Sequence, residues 1–403
     1  MKDKKGQTKM ELNSGQLKAT YLANDWWHHS SNQLFEISGA AGTGKTFLVR
    51  YLIDQFGLDY KRVLFIAFTG KAATVMAKNG LPAQTIHSAC YRYLKKPVRD
   101  EEGKLMYDEK GKLIIKGTFE KRERLAKDVD LIVIDESPMV NKEMAKDIFS
   151  FQKPVIALGD INQLPPVFGE TIFMVEPDVI LTEIMRQAEG NPIVYLSQRI
   201  LNYEPLMPGV YKNSFVIRRD DVTDFQLQNA DIILTGTNHL RQAINDKFRD
   251  EYLRFQYRDF PQIGEKVVCK KNNWDRELGK GSGIYLTNGM TGTVEYASRE
   301  SLKNDSFTMD FKPDFGNKVF RNLNVCYSRL MNGVITSDEK LAFKSKFKDQ
   351  FDFGYAITVH ASQGSQYPNV LFFDQKIMRN REDQKRFDYT GITRASESIG
   401  ILL

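Results

Sequence analysis

Cysteine is scarce. Cys90, Cys269 and Cys326 are the only three in 403 residues; they lie far apart, match no metal-ligand spacing and cannot all pair within the chain. A reduced, cytosolic setting is the simplest expectation. Long apolar runs are missing too: Val63–Phe68 is among the longest, far short of the roughly 20 residues a bilayer-spanning helix needs. No membrane partner is expected. The opening residues MKDKKGQTKM are charged, with no apolar segment behind them, so no secretory leader is expected. A dominant charge sign is also lacking: 57 Lys and Arg face 51 Asp and Glu, for a net charge of +6. Such a balance permits nucleic-acid binding without demanding it.

What is present is an ordinary globular composition, 41% hydrophobic and 27% charged, long enough for two or three domains. Short apolar runs alternate with helical patterns, the texture of parallel α/β sheets. In the first half the runs are Leu34–Ser38, Val63–Phe68, Asp130–Asp135 and Pro154–Gly159. In the second they are Asp231–Gly236, Phe353–His360, Val370–Asp374 and Ser398–Leu403. Each is apolar nearly throughout, as strands covered on both faces are. Two stretches depart from this texture. Residues 92–125 read as a charged hairpin with its turn near Lys110-Gly111. Residues 257–350 hold Gly and Asn turn signals between short strands and read as an all-β insertion, with Thr336–Gln350 helical.

After the first run comes Gly39-Ala40-Ala41-Gly42-Thr43-Gly44-Lys45-Thr46, and then the helical FLVRYLIDQF. This is G-x-x-x-x-G-K-[ST] with the strand before it and the helix after it that the motif requires. Gly39, Ala41, Gly42, Thr43 and Gly44 would wrap phosphates in backbone N–H groups at a helix N-terminus. Lys45 would reach the β- and γ-phosphates, and the Thr46 hydroxyl would ligate Mg²⁺. A second carboxylate is needed for the metal, and LIVIDES supplies it: Asp135 for the cation and Glu136 to orient and deprotonate water. The adjacent acids favour hydrolysis over transfer to a small molecule. No N-K-x-D guanine motif occurs, so ATP is the expected nucleotide.

Further landmarks follow in order: Gly159-Asp160 leading into INQLPPV, LTEIMRQ with Arg186, FGYAITVHASQGSQ at 353–366, and YTGITRA with Arg394. With these the whole chain from about Leu12 resembles the superfamily-one DNA helicases, most closely their RecD-like and phage Dda-like branch. The resemblance implies two tandem RecA-like P-loop domains that clamp ATP between them, with single-stranded DNA across their top. The expected division is 1–186 for the first, with the 92–125 hairpin inserted. The second would comprise 187–256 and 351–403, with 257–350 an SH3-like β-barrel insertion. Carried over residue by residue, Gln16 would read adenine, Gln163 would sense the γ-phosphate, and Gly364 would lie near it. Arg186 and Arg394 would be donated across the cleft.

The same resemblance places Thr69, Gly70, Lys71, Thr85 and His87 along the DNA from the first domain. Thr235, Asn238, Thr358, His360 and Ser362 would line it from the second. It makes the hairpin a strand-separating pin. The implied activity is an ATP-dependent helicase moving 5′ to 3′ on single-stranded DNA and unwinding forked duplexes in replication, recombination or repair. The alternative is a DNA-stimulated translocase that displaces proteins without efficient unwinding. A monomer is expected, with single-stranded-DNA-binding or replication and recombination proteins as further partners. Two departures from the family pattern stand out, Pro138 in DESPM and Gln366 in QGSQ.

Overall fold

A computed structural model describes residues 12–403, apart from 41, 101, 108–110, 112, 114, 126–127, 166–169, 184–189, 253–258, 280, 283 and 334–347. The architecture is mixed α/β, with two six-stranded sheets and a five-stranded one. In the first sheet the strands lie in the order Gln84–Thr85, Val63–Ala67, Leu131–Asp135, Val155–Gly159, Leu34–Gly39 and Val179–Leu181. Every pairing in it is parallel. Val63–Ala67 and Val155–Gly159 are buried at every residue, because apolar clusters cover both faces of the sheet. All strand carboxyl ends therefore lie on one edge, where α/β sheets bind ligands.

The second sheet runs Ala356–Thr358, Ile232–Thr235, Tyr367–Phe373, Ala395–Leu402, Ser214–Ile217 and Gly209–Tyr211. It is parallel except for its last edge strand. The third sheet is antiparallel and ordered Phe320–Cys326, Ser306–Pro313, Thr291–Lys303, Lys266–Cys269 and Phe351–Phe353. It shares one apolar core with the second sheet, in which Val294, Phe307 and Phe351 meet Ile233, Leu371 and Leu402. A small hairpin, Asn273–Glu277 with Tyr285–Leu286, stands beside it.

Two expectations need adjusting. Phe353–His360 is not one strand. Phe351–Phe353 pairs antiparallel with Lys266–Cys269, whereas Ala356–Thr358 joins the second sheet. The chain crosses between sheets at Gly354, where an added Cβ would lie 2.9 Å from the Val267 carbonyl carbon. The helix read at Thr336–Gln350 falls largely outside the described residues. The hairpin is an antiparallel ribbon, Tyr91–Pro97 with Ile115–Lys121. Bridges Arg99↔Leu105 and Tyr107↔Leu113 extend it. No helix among the described residues is long and apolar enough to cross a membrane.

A buried charge cluster ties the second and third sheets together. Arg241 Nη1 donates to Asp352 Oδ2 at 2.6 Å and Arg329 Nη2 to the same oxygen at 2.9 Å. Lys270 lies close enough for Asp352 and both guanidinia to influence it, and burial holds its ammonium below the ordinary lysine range. Removing the one carboxylate strands two guanidinia away from water. Asp352→Ala is therefore expected to destabilise the fold by about 3–5 kcal/mol. Urea denaturation checks this, and a loss under about 1 kcal/mol would show that the cations relax to solvent.

Candidate functional site

The first strand ends at Gly39, which packs so closely that an added Cβ would meet Thr43 Oγ1 at 2.5 Å. Gly42 and Gly44 then take φ of 83° and 80°, a left-handed backbone that glycine adopts without a steric penalty. These turns bring the chain back on itself and start the Lys45–Gln55 helix with Gly44 as its cap. Lys45 Nζ donates to the carbonyls of Gly39 and Ala40. Thr43 Oγ1 donates to Ala40 O at 2.8 Å. Thr46 follows on the first helical turn, half-buried. Ala41 lies outside the described residues. Gln16 reaches the same loop, but its amide is engaged by protein on both sides. Nε2 donates to Thr43 O at 3.1 Å, and Oε1 accepts from Asn13 N in a capping box at 3.2 Å. It is 1% exposed, so it braces the phosphate loop from behind and does not present its amide to a base.

Asp135 ends the neighbouring strand Leu131–Asp135 on the same edge. Burial, and then the charge of Glu136, push its carboxyl up to about 6, against the opposing pull of Lys45. Glu136 itself has φ 51° and ψ 43°. A non-glycine residue held in the left-handed region carries strain of about 1–3 kcal/mol, which clusters at functional sites. The 3₁₀ turn Ser137–Met139 follows. Pro138 fits there because its ring packs over Gly159, where an added Cβ would lie 2.7 Å from Pro138 Cδ.

Asp160 and Gln163 follow the third strand of this edge, Val155–Gly159. Their segment is held from the second parallel unit. The Tyr389 hydroxyl donates to Asp160 Oδ2. Leu164 N donates to Thr390 Oγ1 at 2.9 Å, and Gln363 Nε2 to Leu164 O at 2.8 Å. Thr69 Oγ1 donates to Gly364 O at 3.2 Å, and Gly364 has φ 69°. Arg394 is 1% exposed and makes its hydrogen bonds to Thr390 O, Ser365 O and Thr393 Oγ1. All are neutral acceptors, so among the described residues a buried cation stands at the junction without a carboxylate in hydrogen-bond contact. Arg186 lies outside the described residues. Gln366 is exposed. Sequence reading missed Tyr389, Thr390 and Gln363, although the first two lie within the YTGITRA motif and the third within FGYAITVHASQGSQ.

The residues expected along DNA divide. Asn238 is exposed; Thr85, Thr358 and His360 are half-buried. Others are turned inward, against expectation. Thr235 is fully buried, with its hydroxyl on the carbonyls of Thr237 and Ile357. Ser362 is fully buried, and its hydroxyl donates to Val359 O at 2.7 Å. Gly70 is buried beside Ile284 and Phe315 of the insertion. Lys71 places its ammonium 3.7 Å from the centre of the Tyr367 ring. Burial lowers it to about 8, with Asp314 opposing and Arg394 reinforcing that fall.

His87 is not on an open surface either. Its ring lies 4.7 Å from Trp274 and 5.0 Å from Phe119, in a cluster with Tyr91, Tyr93 and Tyr285 that joins the ribbon to the small hairpin. Lys95 pairs with Asp275 across the same seam at 3.0 Å.

Residues 27–169 match the AAA domain family, and residues 353–402 match the UvrD-like helicase C-terminal domain. The chain is similar to superfamily-one helicases of the RecD and Dda type. It is 26% identical over 371 residues to the ATP-dependent RecD2 DNA helicase of Deinococcus radiodurans, covering 85% of this chain and 43% of that one. To the ATP-dependent DNA helicase dda of Enterobacteria phage T4 it is 25% identical over 271 residues, 62% of this chain and 55% of that one. The chain thus spans less than two thirds of either relative. A crystal structure of Pif1 helicase from Bacteroides in complex with ADP-AlF3 and ssDNA aligns with 97% of the chain at TM-score 0.49 and 17% identity.

Burial depresses the His87 imidazole to about 4, whereas in the unfolded chain it titrates near 6.5. The unfolded state therefore binds the extra proton first, and stability falls as pH drops from about 6.5 towards 4, by up to about 3 kcal/mol. Urea midpoints across this range are expected to show the loss for the wild type and a shallower slope for His87→Phe. Parallel slopes would mean that the ring is solvated.

Proposed function

We propose that this protein is an ATP-driven motor that moves 5′ to 3′ on single-stranded DNA and separates forked duplexes in replication, recombination or repair. Its two parallel sheets are read as RecA-like units and its antiparallel sheet as an SH3-like insertion. The observation that carries the reading is one shared edge. The Gly39–Thr46 loop, Asp135 with Glu136, and Gln163 all follow carboxyl ends of adjacent parallel strands. The second unit closes on that edge through Tyr389, Thr390 and Gln363. The similarity to ATP-dependent DNA helicases supports the nucleotide and the DNA.

The residues present fit ATP and Mg²⁺. The left-handed Gly42 and Gly44 expose backbone N–H groups at a helix N-terminus, which suits phosphate. Thr46 and Asp135 would hold the divalent cation. Its charge would favour ionised Asp135, whose carboxyl burial and Glu136 otherwise push up. When bound, the nucleotide supplies the anhydride bond and the cation neutralises phosphate charge. Lys45 has a flexible stem and would exchange its two loop carbonyls for phosphate oxygens. Glu136 would orient the attacking water and take its proton. Arg394, held only by neutral acceptors, and Arg186 would stabilise charge on the phosphoryl group in flight. Making and breaking the contacts of Asp160, Leu164 and Thr69 with the second unit would then alternate the two units' grip. The protein would act as a monomer, alongside single-stranded-DNA-binding or replication and recombination proteins.

Hydrolysis measured with and without oligo(dT) is expected to rise with DNA. In Lys45→Ala it is expected to fall by on the order of a hundredfold or more. Hydrolysis indifferent to DNA would overturn the motor. For the ribbon, Leu105 and Tyr107 are exposed at 36% and 57% near its far end and would bear on the fork. The double variant Leu105→Ser, Tyr107→Ala is expected to lose duplex unwinding and keep DNA-stimulated hydrolysis. Unchanged unwinding would remove the ribbon from strand separation.

A further inference from the structure

The Arg381–Ile392 helix presents residues 386, 389 and 390 at i, i+3 and i+4, which share one face. Tyr389 and Thr390 on that face grip Asp160 and Leu164. Arg386 lines a cavity of about 250 Å³ between the units, together with Pro138, Asp160, Gln163, Phe173 and Met174. The wall is largely apolar, yet it holds a guanidinium and a primary amide. Among the described residues, neither the Arg386 nor the Gln163 side chain has a hydrogen-bond or ion-pair partner.

The nearby carboxylates are already engaged. Asp160 accepts from Tyr389 and from Asn162 N, Asp388 from Lys376 and Gln384, and Glu382 pairs with Lys385 at 2.7 Å. A half-buried cation beside apolar walls is unfavourable until an anion pairs with it. A planar fork beside an amide donor suits the tetrahedral oxygens of phosphate.

We propose that Arg386, reaching from the second unit, binds a phosphate across the cleft from Gln163 of the first. Arg386 is a contact additional to Arg394. The proposal rests on the cleft being the nucleotide- and DNA-handling site described above. The phosphate belongs either to the nucleotide or to the DNA backbone, and the two sources separate kinetically.

The test is steady-state hydrolysis by the full chain, titrating ATP at saturating oligo(dT) and oligo(dT) at saturating ATP. Wild type is compared with Arg386→Ala, Arg386→Gln, Arg386→Lys and Gln163→Ala. Arg386→Ala is expected to raise one half-saturation constant roughly tenfold or more with kcat within about twofold, and Arg386→Lys to restore part of it. A rise confined to the KM for ATP assigns the nucleotide, and a rise confined to the oligo(dT) constant assigns the DNA backbone. Melting temperatures accompany each variant, with Arg386→Gln retaining the stem should alanine loosen the helix. Both constants unchanged, or raised only in step with a lowered melting temperature, overturns the proposal. If Lys45→Ala abolishes hydrolysis while Arg386 variants behave as wild type, this pair alone fails. If wild type shows no DNA-stimulated hydrolysis, the reading of the cleft fails and the pair with it.

Discussion

Leu34–Gly39 lies between Val155–Gly159 and Val179–Leu181, all three running the same way. That register delivers the chemistry of the chain to one edge. Ser38 stands opposite Gly159 in the ladder, and Ser38 Oγ accepts from Ile161 N at 3.1 Å. The phosphate loop and the segment bearing Gln163 are thereby fixed to each other before any ligand is considered. One strand further, the pairing of Ile134 with Ala157 sets Asp135 beside them. A slip by one residue would exchange side chains between the two apolar clusters that cover the sheet, so the packing that stabilises the sheet also holds the site geometry.

Across the cleft the governing term is uncompensated positive charge. Arg394 is buried on neutral acceptors, Lys71 is lowered to about 8, and Arg386 has no partner among the described residues. Asp314 acts on Lys71 from the insertion, so all three units meet around these cations. Buried charge of one sign disfavours close approach of the units unless an anion enters. The hydrogen bonds at Leu164 and Gly364 oppose that by about 0.5–1.5 kcal/mol each, and that of Tyr389 to the Asp160 carboxylate by about 1.5–3 kcal/mol. An anion such as phosphate would offset that repulsion, as the proposed function requires.

The geometry of the Gly39–Thr46 turn and the strand-end position of Asp135 and Glu136 were legible because their requirements are local: glycine where φ is positive, a lysine at the helix start, acids at a strand end. Sheet membership was mostly legible for the same reason, since doubly covered strands are apolar throughout. Hydroxyl and imidazole roles were not. Whether Thr235 or Ser362 faces solvent depends on backbone carbonyls brought near by the fold, and His87 meets a ring nearly 190 positions away at Trp274. Gln16 illustrates the limit from the other side: the capping box with Asn13 is a local signal, yet the same amide reaches Thr43 O only in the folded chain. Arg386 has no local signature at all.

The ribbon shows how an insertion acquires order from elsewhere. Seven residue pairs in an isolated two-stranded hairpin are marginal in water, and the first strand is largely exposed and carries Arg92, Lys95 and Lys96. Its near end is secured by packing. Tyr93 lies over Gly117, where an added Cβ would come within 1.7 Å of the phenol oxygen, and Phe119 meets Trp274 edge to face at 4.7 Å. Such aromatic contacts contribute about 0.5–1.5 kcal/mol each beyond burial. They reach from the first unit to the small hairpin of the insertion, so ribbon direction is set by that hairpin as much as by the sheet it grows from.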